Sequence, residues 1–178
     1  DSILDEMTSY VVSEFPFTPL PRNKHGWGHL YHRSTRADSV YRHCLRSIDL
    51  VFGKRMGKHG LPLIGTGDWN DGLDEIGSKG KGESVWLGFF LYYILKDMVN
   101  IIEKREGSKR KEHYTAKMQK LEAALELTWR GDRYLRAIHD DGTEIGVKDS
   151  GVWEIDVLTA AWVVMCGLNP ERALTMFN

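Results

Sequence analysis

The sequence predicts an all-α fold, with helices packed side by side in a helical array or an α/α barrel, broken by one long glycine-rich loop and one small hairpin. Three observations carry this reading. Apolar residues recur at spacings of three and four along most of the chain, the helical stretches have similar lengths, and glycine is concentrated between Gly53 and Gly82. The 178 residues, 42% of them hydrophobic, match the size of one domain with an ample core. Lys and Arg number 24 against 25 Asp and Glu, so no overall field draws the chain to nucleic acid or an anionic membrane.

Taken in order, Ile3, Leu4, Met7, Tyr10 and Val11 predict a short amphipathic helix ended by the proline-bearing segment FPFTPLP. Thr35 and Asp38 resemble a capping box for a second helix, whose stripe runs through Val40, Tyr41, Cys44, Leu45, Ile48, Val51 and Phe52. After the loop, ESVWLGFFLYYILKDMVNIIEKRE is apolar almost all round and reads as a central, enclosed helix. Lys96, Asp97 and Asn100 interrupt it too early for a membrane span. Ser108 is expected to cap the next helix, whose seam is Tyr114, Met118, Leu121, Leu125 and Trp129. RYLRAIHDDGTEIG predicts a hairpin turning at Asp141-Gly142, and IDVLTAAWVVMCG a buried helix closed by Gly167.

The ends and the cysteines suggest context. DSILDEMTSYVVSEF lacks the charged-then-apolar order of a signal peptide, and Cys44 and Cys166 read as buried thiols of a reducing, cytoplasmic compartment. Asn169-Pro170-Glu171 opens a helix barely two turns before Asn178, so the chain is expected to be a fragment of something longer, with residues 1–178 inside a single domain.

The chemistry concentrates in GLPLIGTGDWNDGLDEIGSKGKGESVWL. Asp68, Asp71, Asp74 and Glu75 lie beside the indole of Trp69 and the amide of Asn70, among glycines 65, 67, 72, 77, 80 and 82. This mixture suits a sugar: an aromatic face covers a pyranose ring, polar groups hydrogen-bond its hydroxyls, and glycine lets the backbone come close. Glycosidic cleavage needs a protonated carboxyl at the leaving oxygen. Repulsion from Asp68 and Asp74, together with desolvation against Trp69, would keep Asp71 protonated. Aspartates beside glycines also build Asx-turns and helix caps, and composition alone favours that plainer role.

The order of the residues points further. LPLIGTGDWNDG followed by GKGESVWLGFFL resembles the signature of glycoside hydrolase family 94, the cellobiose and chitobiose phosphorylases and cyclic β-1,2-glucan synthases. SVYRHCLRSIDLVFGKRMGKHGLPL upstream and RYLRAIHDDGTEIG downstream extend the resemblance from about Thr35 to Trp162. The resemblance implies part of an (α/α)6-barrel catalytic domain and an inverting phosphorylase, in which inorganic phosphate attacks C1 while Asp71 protonates the departing oxygen. It implies Trp69, Asn70 and Asp74 as substrate contacts, a β-glucan or oligosaccharide substrate, no cofactor beyond phosphate as co-substrate, and the remainder of the parent domain as partner. Gly72-Leu73-Asp74 and Ile76-Gly77 stand where the family usually has G-M-N and V-G, so the contact at Asp74 differs. Phosphate-binding residues are expected outside both ends, which would leave this chain inactive alone.

Two rival functions are a cyclic β-1,2-glucan synthase region, with a membrane-associated parent, and a non-catalytic helical scaffold that binds carbohydrate. Other sites carry less. His25, His29 and His32 would align on a helix as metal ligands, but Gly26 and Gly28 disfavour that helix and no metal is expected. GSKGKGES has Glu83 where a P-loop requires lysine. Trp86, Phe89, Phe90, Tyr92 and Tyr93 lie on the apolar helix and read as core.

Overall fold

The computed structural model describes residues 2–13, 31–67, 73–148, 151, 154 and 156–177. The chain is mostly helical, as its periodicity predicts, and forms two compact units, Asp1–Asp49 and Leu50–Asn178.

In the first unit the N-terminal apolar spacing does not produce the expected amphipathic helix. Only one turn, α1 (Ser2–Asp5), is helical, and the chain then extends as β1 (Met7–Ser13), paired antiparallel with β2 (Tyr31–Ser39). Thr8, Tyr10, Val11 and Val12 favour an extended backbone, and the distant β2 supplies the partner for its amides that decides the outcome. The expected capping box also fails, because Thr35 and Asp38 lie within β2. Helix α2 (Val40–Lys54) starts instead from Ser39, whose hydroxyl accepts from the Arg42 amide at 3.3 Å. Tyr41, Leu45 and Ile48 form its buried stripe, while Cys44 is only half-buried, against expectation. His25 and His29 lie outside the described residues, and no group of three metal-ligating side chains converges among those described.

The second unit is built around α3 (Val85–Glu106), which packs on α4 (Ser108–Glu126) and α5 (Val157–Cys166). Among the described helices, α3 alone is long and apolar enough to cross a membrane by length and composition. Here it is the core helix, burying Phe89, Leu95, Val99 and Ile102 among others. Gly88 lets the side chain of Leu125 approach to where a Cβ would meet it at 2.9 Å. Of the aromatic residues on α3, Phe89 and Tyr92 are core, while Trp86, Phe90 and Tyr93 gather half-buried around Trp162 of α5. Ser108 is the first residue of α4 rather than its cap; Gly107, at φ +84°, makes the break between the two helices. Tyr114, Leu121 and Leu125 form the α4 seam, and Trp129 falls beyond the helix, bridged to Tyr134.

Strands β3 (Glu83–Ser84), β4 (Ala137–Ile138) and β5 (Glu144–Ile145) form a small antiparallel sheet in that order, with β4 and β5 as the expected hairpin turning through Gly142 at φ +92°. The expected C-cap at Gly167 is left-handed, and Asn169 caps α6 (Pro170–Thr175) by accepting from the Arg172 amide.

A buried ion pair joins these elements. Arg136 is fully buried, its Nε lies 3.1 Å from Asp156 Oδ2, and one terminal nitrogen donates to the Ser84 hydroxyl. Asp156 Oδ1 accepts from the Thr159 amide at 2.6 Å, so one carboxylate caps α5 and neutralises the guanidinium. Asp156→Ala is expected to cost about 3–5 kcal/mol in urea denaturation, since it strands a buried charge. Asp156→Asn keeps the cap and should recover about 1 kcal/mol of that loss.

Candidate functional site

The glycine-rich loop is anchored at both ends by backbone and apolar contacts. On its N-terminal side Leu63 pairs with Glu83, the Ile64 amide donates to the Gly82 carbonyl at 2.9 Å, and the Ser84 amide donates to the Pro62 carbonyl. Ile64 joins Leu73 and Ile76, from the far side of the loop, with Ala137 and Ile145 of the hairpin in one buried cluster. Two glycines are required by contact. A Cβ on Gly77 would lie 2.1 Å from Ile64 Cγ2, and one on Gly82 would lie 2.3 Å from the Ile76 carbonyl oxygen.

Asp140, from the hairpin, fixes the returning limb. Its carboxylate accepts from the backbone amides of Lys79, Lys81 and Gly82 at 2.7–2.8 Å, and its own amide donates to the Ile76 carbonyl. Desolvation pushes its pKa up, but the three N–H donors outweigh that and hold it below the ordinary aspartate value. The neighbouring Asp141 is pushed down to about 2, first by the Thr143 amide, in an Asx-turn that closes the hairpin.

Glu83 fixes the entering limb. Its carboxylate is buried, Oε1 accepts from the amides of His59 and Leu61 at 3.0 and 3.2 Å, and Oε2 accepts from His59 Nδ1. Beside it opens a cavity of about 320 Å³, lined by His59, Glu83, Lys58, Lys81, His139 and Asp140 among others. That volume is at the lower end for a small-molecule site.

Of the residues singled out from the sequence, Trp69, Asn70 and Asp71 lie outside the described residues, as does Asp68. Asp74 is exposed in the turn after the buried Leu73. Sequence reasoning missed Glu83, His59 and Asp140. The available signal was a glutamate directly before the capping serine of an apolar helix: a charge at that point either faces water or is enclosed with its own donors.

Residues 29–176 match the family described as glycosyl hydrolase 94 superfamily, catalytic domain. Among curated proteins the chain is similar to a cyclic β-(1,2)-glucan synthase, NdvB, of Rhizobium meliloti, at 36% identity over 92% of this chain and 6% of that protein. A solabiose phosphorylase of Paenibacillus borealis is 35% identical over 77% of the chain and 18% of its own length. A 3-O-β-D-glucopyranosyl-β-D-glucuronide phosphorylase of the same organism is 30% identical over 76% of the chain and 18% of its length. The chain thus spans under a fifth of each of these relatives.

Because the folded state depresses its pKa, Asp140 adds stability at pH above the unfolded aspartate value, and that stability is lost as pH falls through the folded value. Asp140→Ala is therefore expected to melt at a lower temperature than the parent near neutrality. The gap should narrow as the melts are repeated below about pH 4.

Proposed function

This chain belongs to the glycosyl hydrolase 94 superfamily, and from that premise we propose that it is the acid-bearing part of an inverting glycoside phosphorylase acting on β-linked glucosides. The observation that carries the reading is the segment GTGDWNDG, which lies within the matched residues and between two limbs of chain tied together by Glu83, Asp140 and the Ile64 cluster. Asp71 donates its proton to the glycosidic oxygen as the C1–O bond breaks, and an oxygen of inorganic phosphate forms the new bond to C1 from the opposite face. The products are a free sugar and a sugar 1-phosphate of inverted configuration. Trp69 stacks on the sugar, and Asn70 and Asp74 hydrogen-bond it; the exposure of Asp74 suits a contact with a soluble ligand. Phosphate is the only co-substrate required, with no metal or organic cofactor.

We place residues 1–178 within one α/α-barrel domain completed by the rest of the parent polypeptide. The family match supports this, because it runs across the division between the two compact units. The free thiols of Cys44 and Cys166, the latter pushed up to about 11 first by burial, suit a cytoplasmic setting.

A second reading makes the parent a cyclic β-1,2-glucan synthase in which this region processes glucan chains. It is favoured by the similarity to such a synthase over 92% of the chain. Phosphate dependence separates the two: sugar 1-phosphate released from a β-glucobiose supports the phosphorylase, and β-1,2-glucan processing without phosphate supports the synthase.

In the intact polypeptide, Asp71→Asn should cut turnover by about 10²–10⁴-fold, measured as sugar 1-phosphate release, with folding and sugar binding retained. A near-normal rate would leave the loop with no catalytic role and favour a binding scaffold.

A further inference from the structure

We propose that Glu83 and His59 form a positioning clamp on Leu61–Ile64, the limb that leads into the acid-bearing segment, an inference that rests on the phosphorylase reading of Asp71. Glu83 ends the loop, and its side chain turns back across the loop's base to the residues that begin it. The amides of His59 and Leu61 and the ring of His59 all donate to this one carboxylate. The glutamate side chain is 1% exposed and that of His59 is 41% exposed, so the clamp reaches from the interior to the rim of the 320 Å³ cavity.

Several features show that the arrangement is built. Gly57 has no Cβ where one would lie 2.3 Å from the Glu83 carboxyl carbon, which makes room for the buried side chain. The tight turn below it is closed by the Gly57 amide donating to the Leu61 carbonyl and the Gly60 amide donating to the Gly57 carbonyl. Backbone pairing alone already joins the limbs at Leu63 and Glu83, so the carboxylate is not needed merely to close the loop. What it adds is a fixed angle of entry for Leu61 through Ile64, the residues that lead into GTGDWNDG. A carboxylate can only accept, so His59 Nδ1 carries the hydrogen, and the ring cannot turn over without losing that bond.

A displacement of about 1 Å at a proton donor costs on the order of 100-fold in rate. The clamp therefore acts on the chemical step rather than on ground-state binding. In Glu83→Gln the amide carbonyl still accepts from the two backbone donors, but the amide nitrogen is a donor. His59 must then move its hydrogen to Nε2 for Nδ1 to accept, and the charge-assisted bonds become neutral ones.

The test uses the intact polypeptide with inorganic phosphate and a panel of β-linked glucobioses, namely sophorose, laminaribiose and cellobiose. Glu83→Gln is expected to lower kcat about 100-fold while KM for sugar and phosphate stays within about threefold. His59→Ala, at the exposed end of the clamp, should lower kcat in the same direction, and the double variant should fall no further than Glu83→Gln alone, because the two residues act as one unit. If both single variants keep kcat within about threefold and differ only in melting temperature, the pair serves the fold and the inference is overturned. Effects of the two changes that multiply in the double variant would overturn it as well. Should Glu83→Gln fail to fold, His59→Ala decides alone. Asp71→Asn in the same assay separates the two readings: if it is inactive and the clamp variants are normal, only the clamp falls. If Asp71→Asn is fully active there is no acid to position, and both fall.

Discussion

A carboxylate enclosed by protein must find its hydrogen-bond donors there, and the burial of Glu83 obliges the chain to bring the turn at His59–Leu61 back against the strand that ends the loop. Much of the second unit follows from that demand. With Glu83 fixed, β3 is in register with β4, Ser84 is placed to cap α3, and the Ser84 hydroxyl is within reach of Arg136. Arg136, itself fully buried, then requires Asp156, and Asp156 starts α5. Three charged side chains thus link the loop base, the central helix and the helix packed beside it. Glu83 draws its donors from His59 and Leu61, while Arg136 and the partly buried Asp156 serve as each other's ion partner.

Glycine in this region serves close packing as much as conformational freedom. A glycine-rich stretch is usually read as mobile, since each glycine gives up more backbone entropy on ordering than any other residue. Gly57, Gly77 and Gly82 act differently: a Cβ at any of them would fall within 2.4 Å of an atom already in place. They let two limbs and a buried side chain occupy one small volume, and the Ile64, Leu73 and Ile76 cluster fills what remains.

Helices with long apolar stripes were legible in the sequence, because α2, α3 and α4 repeat their pattern over several turns and only one periodicity fits. The caps at Asn169 and Gly167 were legible for a related reason: each residue type satisfies backbone groups in only a few ways. The N-terminal stretch was not, since five apolar residues over nine positions fit a helix and a strand about equally. The deciding partner, β2, lies some twenty residues further along the chain. The start of α2 was misplaced by the same strand, which carries Thr35 and Asp38 past the point where a local motif would begin the helix.

The chemistry was legible at a different level from its support. GTGDWNDG announces itself because acids, an indole and glycines crowd together, whereas nothing in the pattern of His59, Glu83 and Asp140, spread over some eighty residues, marks them as neighbours. Yet a proton donor on a loop works only if the loop arrives in one place. A helix would supply that rigidity through its own backbone ladder, at the cost of a fixed surface too bulky to close around a sugar. A loop whose base is closed by carboxylates drawing on backbone N–H donors combines close approach with a defined geometry, because those bonds cannot be made in many ways. Asp140 draws three amides of the returning limb, and Glu83 two amides of the entering one, so the constraint lies on both sides of the segment proposed to carry the acid.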